Sequence, residues 1–155
     1  MEREGQVLLV VVPSSIEPQP VPGPELLARV EGFVRERCPP AARLQVTGPV
    51  WARVQVDVSV IPDSPEDAEP VRDRVQQALA RYLHPQYGGA RGEGWDFGRR
   101  PHRSELYALL MALAGVDRVT TLSVSVESPE KVLPQDVLIY SRMEDLCVTL
   151  ENRED

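Results

Sequence analysis

Between Val50 and Val60 the chain alternates without a break. Val50, Ala52, Val54, Val56, Val58 and Val60 fall on one side, and Trp51, Arg53, Gln55, Asp57 and Ser59 on the other. A β-strand sends successive side chains to opposite faces, so this is a strand with one buried face. Its second face is solvated or covered by a partner. The run demands a sheet, and it demands apolar cover for its valines.

The rest of the chain must supply both. It has 155 residues, 42% hydrophobic and 26% charged, which suits one domain or two very small ones. Seventeen basic and 24 acidic residues give a net charge of −7, which argues against a basic nucleic-acid footprint. Of the 15 prolines, seven stand where elements end: Pro13, Pro39, Pro49, Pro62, Pro65, Pro85 and Pro101. They read as stiff punctuation of an ordered unit, since proline fixes φ and removes a backbone donor.

Gln6 to Val12 is an apolar, β-branched run and reads as a buried strand. It is too short to span a bilayer, and Glu2 and Glu4 before it speak against a signal peptide. Pro13 to Pro24 is an extended connector. A helix follows, with Leu26, Val30, Phe33 and Val34 as its apolar face, and Cys38-Pro39-Pro40 stops it. Leu44 and Val46 form a short strand. After the long strand, Ser64 is placed to cap a second helix with the stripe Val71, Val75, Ala78, Leu79, Tyr82 and Leu83.

Residues 85–101 form a glycine-rich loop. Ser104 is placed to cap a third helix (Leu106, Leu109, Leu110, Leu113), ended by Gly115 at C′. Strands are expected over Val116–Val126, Val137–Tyr140 and Leu146–Leu150. The expected whole is an α+β, ferredoxin-like (split β-α-β) sandwich with an enlarged second crossover and a short β-rich tail. Its single domain covers 6–150, between a disordered start at 1–5 and a frayed end at 151–155.

Chemistry is thin. The glycine loop lacks the Gly-Lys-Ser/Thr ending of a phosphate loop and does not follow a strand. Asp96-Phe97-Gly98 has no kinase context around it. His84 and His102 lie too far apart for paired metal ligands, and Cys38 and Cys147 read as two reduced thiols of a cytosolic product. No nucleophile motif accompanies either histidine. The expectation is therefore no catalytic residues, no metal and no cofactor.

The loop is more informative as a surface. Tyr87, Trp95 and Phe97 are three of the chain's eight aromatics, and Arg91, Arg99, Arg100 and Arg103 surround them. Aromatics and arginine are enriched at protein interfaces. Candidate contacts are Tyr87, Trp95, Phe97, Arg99 and Arg100 of the loop, with Arg53, Gln55 and Asp57 of the solvated strand face. The alternative for Trp95 and Phe97 is a plug over the open end of the sheet.

Taken in order, several pieces form a pattern. They are Pro49-Val50-Trp51, Leu83-His84-Pro85, Gly88-Gly89, Gly94-Trp95-Asp96-Phe97-Gly98-Arg99, Ser104-Glu105-Leu106-Tyr107, and Gly115-Val116-Asp117-Arg118-Val119 before Leu122. The pattern resembles the C-terminal part of baseplate J-like proteins, the baseplate assembly family of contractile phage tails and contractile injection systems. The likeness spans roughly 6–140.

It implies a structural role in the baseplate wedge, without catalysis, membrane insertion or nucleic-acid contact. The implied partners are other wedge subunits, or a second copy in a homodimer. Assembly would occur in the cytoplasm before incorporation into the particle. Family members are much longer, so the resemblance implies an excised domain or a truncated homologue. The competing expectation is a small-molecule or metal-responsive regulatory domain, which rests on fold analogy.

Overall fold

The alternating run becomes the longest strand of the computed structural model, which describes residues 5–128 and 133–153. In chain order the elements are β1 (Gln6–Val10), α1 (Pro24–Arg35), β2 (Arg43–Thr47), β3 (Val50–Pro62), α2 (Ala68–Tyr82), α3 (Arg103–Met111), β4 (Val116–Glu127), β5 (Val137–Tyr140) and β6 (Leu146–Leu150). Short 3₁₀ turns stand at Pro65–Asp67 and Met143–Asp145. The chain divides into two compact units, Met1–Val50 and Trp51–Asp155, beside the expected single domain over 6–150.

The second unit is built on β3. One edge of β3 pairs antiparallel with β4, and its other edge pairs with β5 and, in parallel, with β6. Val54, Val56 and Val58 stand opposite Val126, Val124 and Leu122 on β4, and Val56 and Val58 stand opposite Leu146 and Val148 on β6. This valine face is the core. Val54, Val58 and Val60 are completely buried, as are Val71, Val75, Leu79 and Leu83 at helical spacing along α2 and Leu106 and Leu110 of α3. α2 lies against β6 and α3 against β4. At about 1.5–3 kcal/mol for each fully buried aliphatic side chain, this face dominates the stability of the unit.

Strict alternation ends at Ser59. The register with β4 shifts between Ser59 and Val60, so that Thr121 faces Ser59 and Val119 faces Val60. Thr120 is the extra residue, and its hydroxyl donates to Ser59 O (3.2 Å) or Glu151 Oε2 (2.8 Å). Such a bulge turns the strand locally, and Ser59, Val60, Ile61 and Pro62 are all buried beyond it.

The first unit is a β-α-β crossover. β1 and β2 pair in parallel from Gln6↔Arg43 to Val10↔Thr47, and α1 lies against β2. Pro20 and Pro22 of the connector are buried. The expected burial of β1 is not found: Val7 is 43% and Leu8 52% exposed. The expected apolar face of α1 is not covered either, since no residue of that helix is buried and Phe33 is 59% exposed under the guanidinium of Arg37. A two-stranded sheet with a helix beside one strand has too little surface to cover such residues.

The molecule is therefore α+β, with helices and two sheets. β1 joins β2 alone rather than the sheet of β3, so a split β-α-β order is not what the strand pairing draws. Three finer expectations also change. His102, not Ser104, occupies the N-cap of α3, and Ser64 makes no side-chain cap bond. α3 ends at Met111, and Gly115 instead forms the left-handed turn (φ +90°) that leads into β4. At the C-terminus, Glu151 N donates to Val60 O (2.9 Å) and Arg153 pairs with Asp117 (2.8 Å), so 151–153 are tied down. The expected disorder of 1–4 and fraying of 154–155 lie outside the described residues.

Candidate functional site

The glycine-rich segment after α2 folds into an ordered loop, and each motif residue has a local task. Gly89 N donates to Tyr82 O (2.8 Å), Gly94 N to Gly88 O (2.9 Å) and Trp95 N to Pro85 O (2.9 Å), which pins the loop against the end of α2. Gly88 passes so close that a Cβ there would stand 2.1 Å from Tyr82 O. At Gly94 (φ +95°) a Cβ would stand 2.6 Å from Pro85 O, so only glycine fits. Farther on, Gly98 N reaches Val137 O (2.8 Å) and joins the loop to β5.

Trp95 is 6% exposed and sits inside this frame. Its indole Nε1 donates to Tyr82 O (2.8 Å), its ring meets the Tyr82 ring edge-on at 5.5 Å, and Arg99 lies 5.1 Å from its centroid. Trp95 is thus buried against the end of α2 rather than exposed as a contact residue, because a large ring with one donor finds both apolar cover and an acceptor at the helix end.

Arg99 is also committed, bonding Glu105 Oε1 at 2.9 Å, while Tyr82 Oη donates to Glu105 Oε2 at 3.1 Å. Burial first, then the neighbouring Glu105 charge, pushes the Tyr82 hydroxyl above its ordinary pKa. Tyr87 (45% exposed) and Phe97 (39%) remain on the surface as expected, and Arg100 is half-buried.

His84 belongs to the same frame. Its Nδ1 accepts from the amides of Gln86 (3.1 Å) and Tyr87 (3.2 Å), and its ring stacks on Tyr87 at 4.9 Å. Among the described residues, no three His, Cys, Asp or Glu side chains are grouped to hold a metal ion. No helix of the described residues is long and apolar enough to cross a membrane. Both cysteines are free thiols, Cys147 exposed on β6.

The polar face of β3 holds the other candidates. Arg53 Nε donates to Asp145 Oδ1 (2.7 Å), and its Nη2 bonds Asp145 and also Glu144 Oε1 (3.1 Å). Asp145 is buried at 6% exposure and accepts the amide of Arg142 on its other oxygen (2.9 Å). Burial pushes the Asp145 carboxyl up, but Arg53 and the Arg142 amide outweigh it and hold it below the ordinary carboxylate range. The sequence placed Arg53 among free contact residues. Here it is the brace that fixes the turn between β5 and β6, a pairing hidden by a separation of 92 positions. Gln55 and Asp57 are exposed beside Ser125 and Ser123.

One feature was not legible beforehand. A groove of about 390 Å³ opens between α2, α3 and the glycine loop, lined among others by Arg74, Ala78, Arg81, Tyr87, Leu109 and Leu113. Ala78, Leu109 and Leu113 were assigned to core stripes, yet they are only half-buried and form its apolar floor.

No family model and no curated protein matches this sequence.

Proposed function

We propose that the chain is a structural part of a contractile-tail or injection-system baseplate wedge, holding neighbouring subunits. The observation that carries this is the uncovered apolar surface of the first unit. Val7, Leu8, Ile16, Val21 and Phe33 lie between 43% and 89% exposed. Parallel strands are normally covered on both faces, so such a crossover is completed by another surface. The ordered loop supports the same reading. Its motif residues serve geometry: Gly88 and Gly94 permit close approach, and Trp95 locks the loop to α2.

The ferredoxin-like part of the reading narrows accordingly. What supports it is a pair of helices in contact with each other, α3 against β4 and α2 against β6, on the sheet built around β3. The regulatory alternative has no metal-ligand group to build on among the described residues.

The test is co-elution of the whole chain with wedge subunits of a contractile system, alongside Leu8→Glu and Phe33→Glu. A complex that forms with the wild type and is lost with either variant supports the reading. Failure of every wedge subunit to co-elute, with a metabolite or metal raising Tm by several degrees, overturns it in favour of a regulatory domain.

A further inference from the structure

The groove beside the loop carries charge of the wrong sign for its protein. The chain has a net charge of −7, yet the lining includes Arg74 and Arg81 and no carboxylate. The two arginines are seven positions apart on α2, hence on one face with about 10 Å of rise between them. Arg74 is held at one end, where its Nη1 donates to the carbonyl of Ala114. The Arg81 guanidinium has no ion-pair or hydrogen-bond partner among the described residues. Between them lies the apolar floor of Ala78, Leu109 and Leu113, with Tyr87 at the wall. The arginines are exposed and the floor half-buried, so the groove is open along its length. A small molecule is usually enclosed over most of its surface, whereas an open groove suits a chain crossing it.

We infer that this groove docks an extended segment of a partner protein in which an apolar side chain is flanked, two residues away on each side, by carboxylates. In an extended chain those three side chains share a face, and the carboxylates lie about 13 Å apart, within reach of two arginine arms about 10 Å apart at their roots. The apolar residue fills the floor and each carboxylate meets a guanidinium, which can donate two parallel hydrogen bonds to the two oxygens of one carboxylate. This deepens the assembly reading and rests on it.

The probe is the acetylated, amidated peptide Asp-Ser-Leu-Ser-Glu, titrated into the whole labelled chain while amide shifts are followed by NMR. Saturating shifts are expected at the amides of Arg81, Gly89 and Leu113, with Kd of about 1 mM or tighter. Lys-Ser-Leu-Ser-Lys and Asp-Ser-Ser-Ser-Glu should bind at least about tenfold more weakly, because each lacks one half of the recognition. Arg81→Glu should abolish the shifts, and Arg81→Lys should keep part of them. Arg81 is exposed, so both variants should retain the wild-type spectrum elsewhere. Equal binding of the lysine peptide, shifts that fall outside the groove, no shifts, or wild-type affinity in Arg81→Glu would each overturn the inference. The two readings fail separately. If wedge subunits co-elute with Arg81→Glu as with wild type and the peptide does not bind, only the groove inference is lost. If the peptide binds and no wedge subunit co-elutes, only the baseplate reading is lost.

Discussion

The two units use apolar residues in opposite ways. In Trp51–Asp155 the valines of β3 are sealed between α2, α3 and their neighbouring strands, and Val54 and Val58 have no exposure at all. In Met1–Val50 an equally apolar strand and helix leave Leu8 and Phe33 more than half exposed. Composition is similar, and the difference is cover. A four-stranded sheet with two helices can bury a face, while two strands and one helix cannot. The second unit buries its apolar face, and the first leaves much of its own exposed.

The contrast breaks most sharply at Trp95. Trp95→Ala removes a buried ring and one of the two hydrogen bonds to the Tyr82 carbonyl, and should cost about 3–5 kcal/mol in chemical denaturation. A cost under about 1 kcal/mol would mean that the loop is not part of the core. A matched pair then compares the units directly. Leu79→Ala, fully buried on α2, should cost about 2–5 kcal/mol, whereas Leu8→Ala, half exposed on β1, should cost less than about 1 kcal/mol. Equal costs would erase the distinction.

Asp145→Asn should cost about 1–3 kcal/mol, because Arg53 loses the closer and more buried of its two charge partners. The folded-state carboxyl titrates below its unfolded value, so its contribution is present at neutral pH. It fades as pH falls below about 4 and is gone once pH passes below the folded value. Wild type and Asp145→Asn should therefore converge in stability in acid, and a constant gap down to about pH 2 would contradict the assignment. The smallest effect is expected at Phe33: Phe33→Ala should change the stability of the isolated chain by less than about 0.5 kcal/mol while weakening partner binding.

Much of this fold was legible because local patterns coincide with it. The alternation from Val50 to Ser59 and the α2 stripe at Val71, Val75 and Leu79 each report a buried face directly. What periodicity cannot report is whether a face finds cover. Gln6 to Val12 reads as buried because β-branched runs usually are, and only the pairing of β1 with β2 alone reveals its exposure. Leu109 and Leu113 fail in the same way, since they lie on an apolar stripe and still face a groove. Of the site, the exposure of Tyr87 and Phe97 was foreseen. The burial of Trp95 turned on one acceptor, the Tyr82 carbonyl left open at the end of a helix. Arg53 and Asp145 are too distant in sequence for any motif to join them.

Hydrogen exchange of the whole chain, alone and with co-eluting wedge subunits, tests the central claim most directly. Alone, the amides of β1 and β2 should exchange far faster than those of β3, by at least about a hundredfold, because little buried surface holds that pair closed. With the partner bound, β1, β2 and α1 should gain protection while β3 changes little. Equal protection of β1 and β3 in the isolated chain, or partner protection confined to the second unit, would contradict the account.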